Sequence, residues 1–321
     1  MKLKINVHSV TVFAPATVTN VSCGFDIMGF ALNQPGDVIR LTRSQTPGLT
    51  ISNIEASNNS IPLQIEKNTA GKALLSMYRA LKLQQGFEME IYKQMAVGTG
   101  LGSSAASAVA AVYALNQFLE EPLAKNQLLS FAIEGEKLTS GGHIHADNVA
   151  ACLFGGFVVI RSIEPLEVIP LDYPPELHCA IVHPHLELKT ADMRRILREQ
   201  IPLKDAIQQW GNIAGLVIGL QKGDFELISH SLKDVIIEPI RGKIIPGYEE
   251  ARRAALQAGA LGSGISGSGP SIFALTRSAK QARHCAQAMA QIYQKLDLQY
   301  DVYISSINPH GPQVLKVEEA K

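Results

Sequence analysis

The chain has 321 residues, of which 46% are hydrophobic and 18% charged, and this composition provides a sizeable apolar core and excludes a disordered protein. The 29 lysines and arginines balance the 29 aspartates and glutamates, so the net charge is zero and no overall field would hold nucleic acid or an anionic membrane. The length exceeds the size at which single cores stop growing and therefore predicts two domains of about 150 residues each.

The first half of the chain begins with predicted strands. Apolar residues alternate over 1–14 and 36–54, with a turn signal at Gln34-Pro35-Gly36 between them. The elements predicted next are a helix over 69–84, a strand over 87–94, a glycine-rich run at 98–102, an alanine-rich helix over 105–118, a helix over 124–138 and a strand over 156–161.

A proline-rich stretch separates the two halves, with four prolines between 164 and 175. We place the domain boundary there, which gives domains at 1–168 and 169–321. The elements predicted beyond it are a strand over 178–183, helices over 190–200, 204–221, 224–236 and 247–258, a second glycine-rich run at 262–269, a strand over 271–276, a helix over 278–296 and a strand over 300–307. Both halves mix helices and strands, so the predicted fold class is α+β.

The sequence gives little indication of a membrane span, a signal peptide or a zinc site. No window approaches 18 uninterrupted apolar residues, and the first residues alternate like a strand instead of forming a signal peptide. The paired histidines at 143/145 and 183/185 lack the HExxH spacing of a zinc site. The cysteines are far apart and among apolar or small residues, which predicts reduced thiols in a cytoplasm: Cys23, Cys152, Cys179 and Cys285.

The segment Gly98–Ala106, GTGLGSSAA, is the most informative in the chain. Glycines let a backbone approach a ligand closely, and the helix that follows presents unpaired N–H groups and a partial positive charge. This combination binds anions, phosphate above all. Ser103 and Ser104 could cap the helix, bind a phosphate oxygen or ligate Mg²⁺. A serine-capped turn is the simpler alternative, but three glycines and two serines in seven residues exceed what a cap needs. The predicted phosphate-binding residues are Gly98, Thr99, Gly100, Leu101, Gly102, Ser103, Ser104 and Ala105.

Two familiar nucleotide motifs are excluded. The Walker pattern GxxxxGK[ST] is absent, since Gly71-Lys72 precedes Ala73 and Gly242-Lys243 precedes Ile244. The segment 262–267 satisfies GxGxxG, but it follows a predicted helix and precedes a strand, the reverse of the dinucleotide-binding arrangement.

Three segments together resemble a known enzyme family. Residues 98–106 resemble the phosphate-binding motif of the GHMP small-molecule kinases, 262–271 (GSGISGSGPS) their C-terminal glycine-rich motif, and 14–26 (APATVTNVSCGFD) their N-terminal motif. Within the family, the chain is most similar to the branch that phosphorylates homoserine, through Phe25-Asp26 with Gly29 close behind, His145-Ala-Asp-Asn148, Glu238-Pro-Ile-Arg241 and Pro246-Gly247. The chain departs from the motifs at Ala96, where a proline is common, and at Ser22, where a glycine is common.

The resemblance implies a two-domain GHMP kinase fold, with an N-terminal domain similar to ribosomal protein S5 and a C-terminal α/β sandwich that is ferredoxin-like. It also implies ATP-dependent phosphorylation of L-homoserine to O-phospho-L-homoserine, a step of threonine biosynthesis, with Mg²⁺. The expected ligands are ATP and L-homoserine, with no nucleic acid and no membrane, and a homodimer is left open.

A helix glutamate is expected to help neutralise the transferring phosphoryl group. Helical periodicity places Glu136 on the inward stripe of helix 124–138 and Glu134 with the polar residues. The resemblance implies that Glu136 and Ser104 hold Mg²⁺. An ion pair between Glu136 and a core-facing lysine or arginine is the structural alternative.

Homoserine is a zwitterion with a hydroxyl, and it needs an anion at the ammonium and a cation fork at the carboxylate. Asp26 fits the first task, and Arg194 and Arg241 fit the second, because arginine binds carboxylates bidentately. Without the resemblance, both arginines would be assigned to the solvated surface. The residues that we predict to bind substrate are Asn20, Asp26, His145, Thr190, Arg194, Arg241 and Gly267.

The hydroxyl partner and the adenine pocket follow from the resemblance alone. Asn148 is expected to orient the hydroxyl, with Asp147 as the alternative base, and a loose transition state would require little base help. His145 either orients the acceptor or fills a polar turn. Asn68 is expected near the adenine.

Three other functions remain to be weighed. A GHMP kinase of mevalonate or shikimate type would share the fold and differ in acceptor. A nicotinamide dehydrogenase built on GSGISG is disfavoured by its reversed context. A non-enzymatic binding module, for nucleotide or RNA, is disfavoured by the neutral charge.

Overall fold

The protein is described from a computed structural model that covers residues 1–56, 61–138, 146–188 and 190–320. The elements of the first half are β1 Val7–Thr19, β2 Met28–Ser44, β3 Leu49–Glu55, α1 Thr69–Ala80, β4 Gly86–Tyr92, α2 Ser103–Gln117, α3 Lys125–Glu136, α4 Asp147–Phe154, β5 Phe157–Ile163 and β6 Leu166–Leu171. Those of the second half are β7 His178–Pro184, α5 Thr190–Arg195, α6 Leu203–Lys222, α7 Phe225–Ser231, α8 Glu238–Arg241, α9 Tyr248–Gln257, β8 Gly262–Ile265, β9 Ile272–Thr276, α10 Ala279–Lys295, β10 Tyr300–Ser306 and β11 Gln313–Glu319.

The first sheet has the strand order β11-β1-β2-β4-β3, with β5 paired to β2 and β6 to β5. Its strands run antiparallel except for the parallel pair β3 and β4. Helix α2 packs against β1, β2, α1 and α3. Its alanines are fully buried, and these small side chains let the neighbouring elements approach closely. The sheet and its helices therefore hold the start of α2 at the centre of the molecule.

The second sheet has the order β10-β7-β9-β8 and is antiparallel throughout. Helices α9 and α10 pack against its strands and enclose a separate apolar core that includes Val182, Ile272 and Tyr293. The turn between β8 and β9 contains Gly267 and Gly269 at positive φ, and it projects toward the start of α2.

The α+β class is confirmed, but several predicted boundaries change. The segment 36–54 is divided between β2 and β3, and β2 begins earlier, at Met28. The proline-rich stretch contains β6 instead of a linker; Pro170 is tolerated there because β6 is an edge strand paired only with β5. Helices predicted to reach 200 and 236 end at Arg195 and Ser231. The segment 262–265 is itself strand β8, so the second glycine-rich run is part strand and part turn.

Several elements were not predicted, among them α4, β6, α8 and β11. Strand β11 pairs with β1, so the end of the chain returns to the first sheet, and the boundary proposed between 168 and 169 falls inside β6. The division into 1–168 and 169–321 stays a prediction.

A buried carboxyl joins three elements of the second half. Glu238 accepts hydrogen bonds from the Tyr248 hydroxyl (2.7 Å) and from the Ile265 N–H (3.1 Å). Burial raises the pKa of Glu238 from 4.5 to about 7, and the nearby Asp234 raises it further, against these two hydrogen bonds. The Glu238 carboxyl therefore connects α8, α9 and β8, and the folded protein favours its protonated form.

The raised pKa of Glu238 predicts that this link weakens as the pH rises. The folded state binds this proton more tightly than the unfolded chain, so the contribution is complete below about pH 4.5 and is lost through pH 7. The shift corresponds to about 3 kcal/mol of unfolding free energy. We expect Glu238→Gln to remove this part of the pH dependence, measured by urea unfolding between pH 5 and 8. Glu250→Gln, an exposed change on α9, should leave the profile as it is. Identical slopes for wild type and Glu238→Gln would contradict the assignment.

Candidate active site

A cavity of about 530 Å³ lies where the start of α2 meets the turn between β8 and β9. Most of the predicted site residues line it, although they come from distant parts of the chain: Asn20, Asp26, Asn68, Gly98, Thr99, Gly100, Gly102, Ser103, Ser104, Glu136, Asp147, Asn148, Thr190, Arg194, Arg241 and Gly267. Leu101 and Ala105 are fully buried beneath it, and their side chains belong to the core. His145 lies outside the described residues.

The loop before α2 has the backbone of an anion-binding segment. Gly98, Gly100 and Gly102 have φ angles of 78°, 75° and 68°, a region that favours glycine. Gly102 is the N-cap of α2, and no side chain caps the helix. The serine-capped turn considered from the sequence is therefore wrong, and the first N–H groups of α2 have no carbonyl partners within their own helix. They carry the positive end of the helix dipole at the cavity.

The two glycine-rich segments pack directly on one another. The Ser266 hydroxyl donates to the Gly100 carbonyl (2.7 Å), and the Ser271 N–H donates to the Thr99 carbonyl (3.3 Å). A Cβ on Gly100 would overlap the Ser266 carbonyl and lie 2.8 Å from that of Gly269. The C-terminal glycine-rich motif thus supports the loop from behind, while Gly267 reaches the cavity.

A buried ion pair lies beneath the start of α2, and sequence reasoning missed it. Lys93 forms an ion pair with Asp37, and both side chains are at most 5% exposed. The Lys93 ammonium also donates to the Ser103 carbonyl (2.8 Å) and the Ser107 hydroxyl (2.8 Å). Lys93 lines the cavity as well, so a cationic group lies beside the predicted phosphate loop. Breaking a buried pair typically costs several kcal/mol, so we infer that this pair fixes the loop.

Glu136 is buried at the cavity wall, as helical periodicity predicts. The Ser104 hydroxyl donates to Glu136 Oε2 (3.1 Å). Burial raises the pKa of Glu136 to about 7; the Ser104 bond and the charge of Lys93 lower it, and Asp147 raises it. Glu134, two residues earlier, has a side chain that is 41% exposed and pairs with Lys137. The side chain directed at the cavity is therefore Glu136.

Asp147 and Asn148 begin α4 and face the same cavity. Asp147 is buried, and burial together with the charge of Asp26 raises its pKa to about 6. Its carboxylate accepts the Asn148 N–H (2.9 Å). At neutral pH, Asp147 is therefore mostly ionised and is held at the start of its helix, where a negative charge is favourable.

The loop after β1 carries the acid of the predicted ammonium site. Asn20 and Asp26 have positive φ angles of 70° and 61°. The Asn20 side chain accepts the Asp26 N–H (3.1 Å) and donates to the Gly267 carbonyl (2.7 Å). Asp26 receives both guanidinium branches of Arg194, at 3.1 and 2.7 Å. The loop and α5 thus present a carboxylate and a cation fork side by side.

Arg241 forms the second cation of this end of the cavity. It is only 3% exposed, and it donates to the carbonyls of Met193 (3.2 Å) and Gly267 (3.1 Å). Burial lowers the pKa of Arg241 to about 10, although Asp26 opposes that change, so it stays charged at neutral pH. The guanidinium carbons of Arg241 and Arg194 lie 5.0 and 5.6 Å from the ring centre of Phe25, within the range of cation–π attraction. Arg241 is therefore not a solvated surface residue, the assignment that would hold without the family resemblance, while Arg194 is 37% exposed and is held by Asp26.

Two predicted residues have structural partners at the cavity rim. The hydroxyl oxygens of Thr190 and Ser268 lie 3.3 Å apart. Asn68 caps α1 by accepting the Gly71 N–H (3.1 Å) and donates to the Pro62 carbonyl (3.0 Å). Their contacts with a ligand stay predictions.

Comparison with known proteins decides the family. Residues 68–156 match the model of the GHMP kinases N terminal domain, and 216–295 match that of the GHMP kinases C terminal domain. The homoserine kinase of Chlorobium phaeovibrioides is 44% identical over 319 residues, covering 96% of this chain and 99% of that protein. The chain belongs to the GHMP kinase family.

Further relatives of this GHMP kinase are also named homoserine kinases. The homoserine kinase of Chloroherpeton thalassium is 42% identical over 317 residues, covering 95% of this chain and 99% of that protein. The crystal structure of homoserine kinase from Cytophaga hutchinsonii superposes with a TM-score of 0.93 at 48% identity, covering 98% and 99% of the two chains. The predicted family, its homoserine-phosphorylating branch and the two-domain fold are confirmed.

Within the described part of the chain, no helix of this kinase combines the length and the apolar character needed to cross a bilayer.

Proposed function

We propose that this GHMP kinase transfers the γ-phosphoryl group of ATP to the side-chain hydroxyl of L-homoserine at the cavity described above. One observation carries the proposal: a single cavity is lined both by a helix start suited to anions and by a carboxylate with two guanidinium groups, which we call its donor end and its acceptor end. The full-length similarity to homoserine kinases supports the same acceptor.

The acceptor end matches the charges of an amino acid. Asp26 offers an anion for the ammonium group, and Arg194 and Arg241 offer forks for the carboxylate. The two arginines could bind the carboxylate of any of the three acceptors, but only a ligand with an ammonium group would also use Asp26, which pairs with Arg194 in this structure. Asp26 therefore favours a zwitterion over the anionic acceptors mevalonate and shikimate.

The donor end matches a nucleotide triphosphate. The N–H groups at the start of α2 would bind phosphate oxygens, and the buried Lys93–Asp37 pair beneath them holds the loop in place. The donor set of Glu136 and Ser104 fits Mg²⁺, because a buried carboxylate and a hydroxyl 3.1 Å apart offer oxygen ligands at the cavity wall. When bound there, Mg²⁺ would neutralise charge on the phosphate oxygens.

The side chains of the protein would act mainly by positioning the acceptor hydroxyl against the phosphoryl group. Asn148 is the residue that we propose to orient the acceptor hydroxyl, and Asp147, whose carboxylate accepts the Asn148 N–H, is the alternative base. If the transition state is loose, orientation and charge neutralisation carry most of the rate, and base help adds little.

The acceptor is tested by a panel of homoserine, mevalonate and shikimate in an assay that couples ADP release to NADH oxidation, with the product identified by ³¹P NMR. We expect homoserine alone to give a phosphomonoester at a substantial rate. Equal or faster turnover of mevalonate or shikimate would overturn the proposed acceptor, and no turnover of any of the three would overturn the proposed activity.

The role of Glu136 is tested against its neighbour on α3. Glu136→Gln should lower kcat about 100-fold or more, because charge neutralisation at the transferring group is worth that much in comparable sites. It should also raise the Mg²⁺ concentration needed for half-maximal activity. Glu134→Gln is the matched control, since that side chain is exposed and pairs with Lys137, and we expect its kcat to equal that of the wild type. Equal activity of both variants would remove Glu136 from the mechanism.

We also propose the cytoplasm as the location of the protein. Each of the four cysteines is a buried free thiol, which is typical of a reducing compartment. The oligomeric state, with a homodimer as one option, is open to measurement by light scattering.

A further inference from the structure

We propose that Thr17 is a positioning residue that connects the phosphate loop to Asn148 and makes the Asn148 side chain accept a hydrogen bond from the substrate hydroxyl. The inference rests on the proposed function, because it concerns the acceptor group of the same reaction. Thr17 lies on β1, is fully buried and does not line the cavity, so its effect has to pass through other residues.

Thr17 contacts both parts of the reaction site. Its backbone N–H donates to the Leu101 carbonyl of the phosphate loop (3.0 Å), and its hydroxyl donates to Asn148 Oδ1 (2.7 Å). A Cβ on Gly102 would overlap the Thr17 hydroxyl and lie 2.7 Å from Asn148 Oδ1, so the Gly102 backbone packs directly against one side of this bond. One residue therefore sets the separation between the donor loop and the acceptor-orienting amide.

The partners of Asn148 also fix which way its amide faces. The amide nitrogen Nδ2 lies 3.4 Å from Asp147 Oδ1 and 3.3 Å from Thr19 Oγ1. An ionised carboxylate can only accept, so the atom next to Asp147 has to be the donating nitrogen. The oxygen then faces Thr17, and the Thr17 hydroxyl donates to it.

The remaining bonding capacity of Asn148 follows from this orientation. Its two N–H groups are directed at Asp147 and Thr19, and its oxygen has two lone pairs, of which Thr17 occupies one. The free lone pair can accept the proton of a substrate hydroxyl. In that arrangement the lone pairs of the hydroxyl oxygen are directed away from Asn148, which leaves the oxygen free to attack the phosphoryl group. The proton stays on the hydroxyl in this contact, so Asn148 orients the acceptor and does not act as a base. As the new P–O bond forms and the bond between the γ-phosphorus and the ADP oxygen breaks, the proton passes to the Asp147 carboxylate or to an oxygen of the transferred phosphoryl group, and ADP leaves.

The test removes the Thr17 hydroxyl while keeping the shape of the side chain. Thr17→Val should lower kcat about 30-fold, since a misoriented group near the reacting atoms can cost up to a hundredfold, while KM for ATP changes less than about threefold. Thr17→Ser, which keeps the hydroxyl, should recover most of kcat. Thr276→Val is the matched control: Thr276 is also fully buried, but its hydroxyl bonds to the carbonyls of His178 and Ser278, away from the cavity. Its kcat should stay at the wild-type value.

A double-mutant cycle separates positioning from general loss of structure. If Thr17 acts through Asn148, Thr17→Val should cost nothing further in the Asn148→Ala background. The same 30-fold loss in both backgrounds, or no loss in the wild-type background, would overturn the inference. Should Thr17→Val fail to fold by circular dichroism, Thr17→Ala takes its place in the same cycle, with the same two results deciding.

The wild-type assay keeps this inference apart from the proposed function. If wild type does not phosphorylate homoserine, the proposed function fails. If wild type is active and Thr17→Val has an unchanged kcat, only the role of Thr17 fails.

Discussion

Replacing Gly100 with alanine should lower kcat/KM for ATP about 100-fold or more, because displacing a site by an ångström can have that cost. Two effects act together at this position. Alanine is strained at a φ of 75°, and its Cβ would overlap the Ser266 carbonyl and crowd that of Gly269. Both obstacles are backbone atoms, so the loop has to move away from the support behind it. The measurements are steady-state kinetics with varied ATP and the affinity for an ATP analogue by calorimetry.

Gly48 provides the matched control for Gly100. It also has a positive φ, of 99°, but a Cβ there would meet nothing within 4 Å, and it lies in the turn between β2 and β3. Gly48→Ala should therefore lower stability by about 1 kcal/mol through backbone strain alone and leave nucleotide affinity unchanged. Wild-type affinity in Gly100→Ala would contradict the assignment of this loop to phosphate binding.

Replacing Arg194 with alanine should raise KM for homoserine about 100-fold while KM for ATP stays nearly constant. Each hydrogen bond to a charged group is worth about 1.5 to 3 kcal/mol, so the loss of one or two bonds to the substrate carboxylate accounts for the effect. The change also leaves Asp26 without its bidentate partner. An acceptor that lacks the carboxylate, 3-amino-1-propanol, should show a much smaller change in kcat/KM than homoserine does.

The next residue along α5 is the control for Arg194. The Arg195 side chain is 81% exposed and makes only a 3.4 Å contact with Asp192. Exposed ion pairs are worth about 1 kcal/mol or less, so Arg195→Ala should leave both KM values unchanged. A parallel rise in KM for ATP and for homoserine in Arg194→Ala would indicate a general loss of structure instead of a lost substrate contact.

The sequence predicted the parts of the site that lie close together along the chain. The glycines and serines of the segment 98–104 are contiguous, and their conformational freedom and position before a helix indicate anion binding without any knowledge of the fold. Glu136 was selected over Glu134 by helical periodicity, and the structure places it at the cavity wall. Local spacing was enough in both cases because the neighbours concerned are less than two helical turns away.

The sequence missed the parts whose partners are far away along the chain. Lys93 and Asp37 are 56 residues apart, and nothing in the local pattern around either one indicates a buried ion pair. Thr17 lies on β1 beyond the predicted strand 1–14, in a stretch where every residue is buried, and it is indistinguishable from a core position until its partner Asn148, 131 residues further on, is placed beside it. The strand β11 was missed because its edge position leaves most of its side chains exposed, so the hydrophobic alternation of a half-buried strand is weak.

The amino-acid sequence by itself determined the glycine-rich loop before a helix, the mixed α+β class and the charged residues that the chain can bring to a site, because backbone freedom, periodicity and side-chain chemistry are local properties. Only the tertiary structure decided how those charges pair. Asp26 and Arg194 are 168 residues apart, and their contact, the buried state of Arg241 and the raised pKa values of Glu136 and Asp147 all depend on which surfaces the fold removes from water. Desolvation and hydrogen bonding act through distance in space, and the order of residues along the chain does not specify that distance.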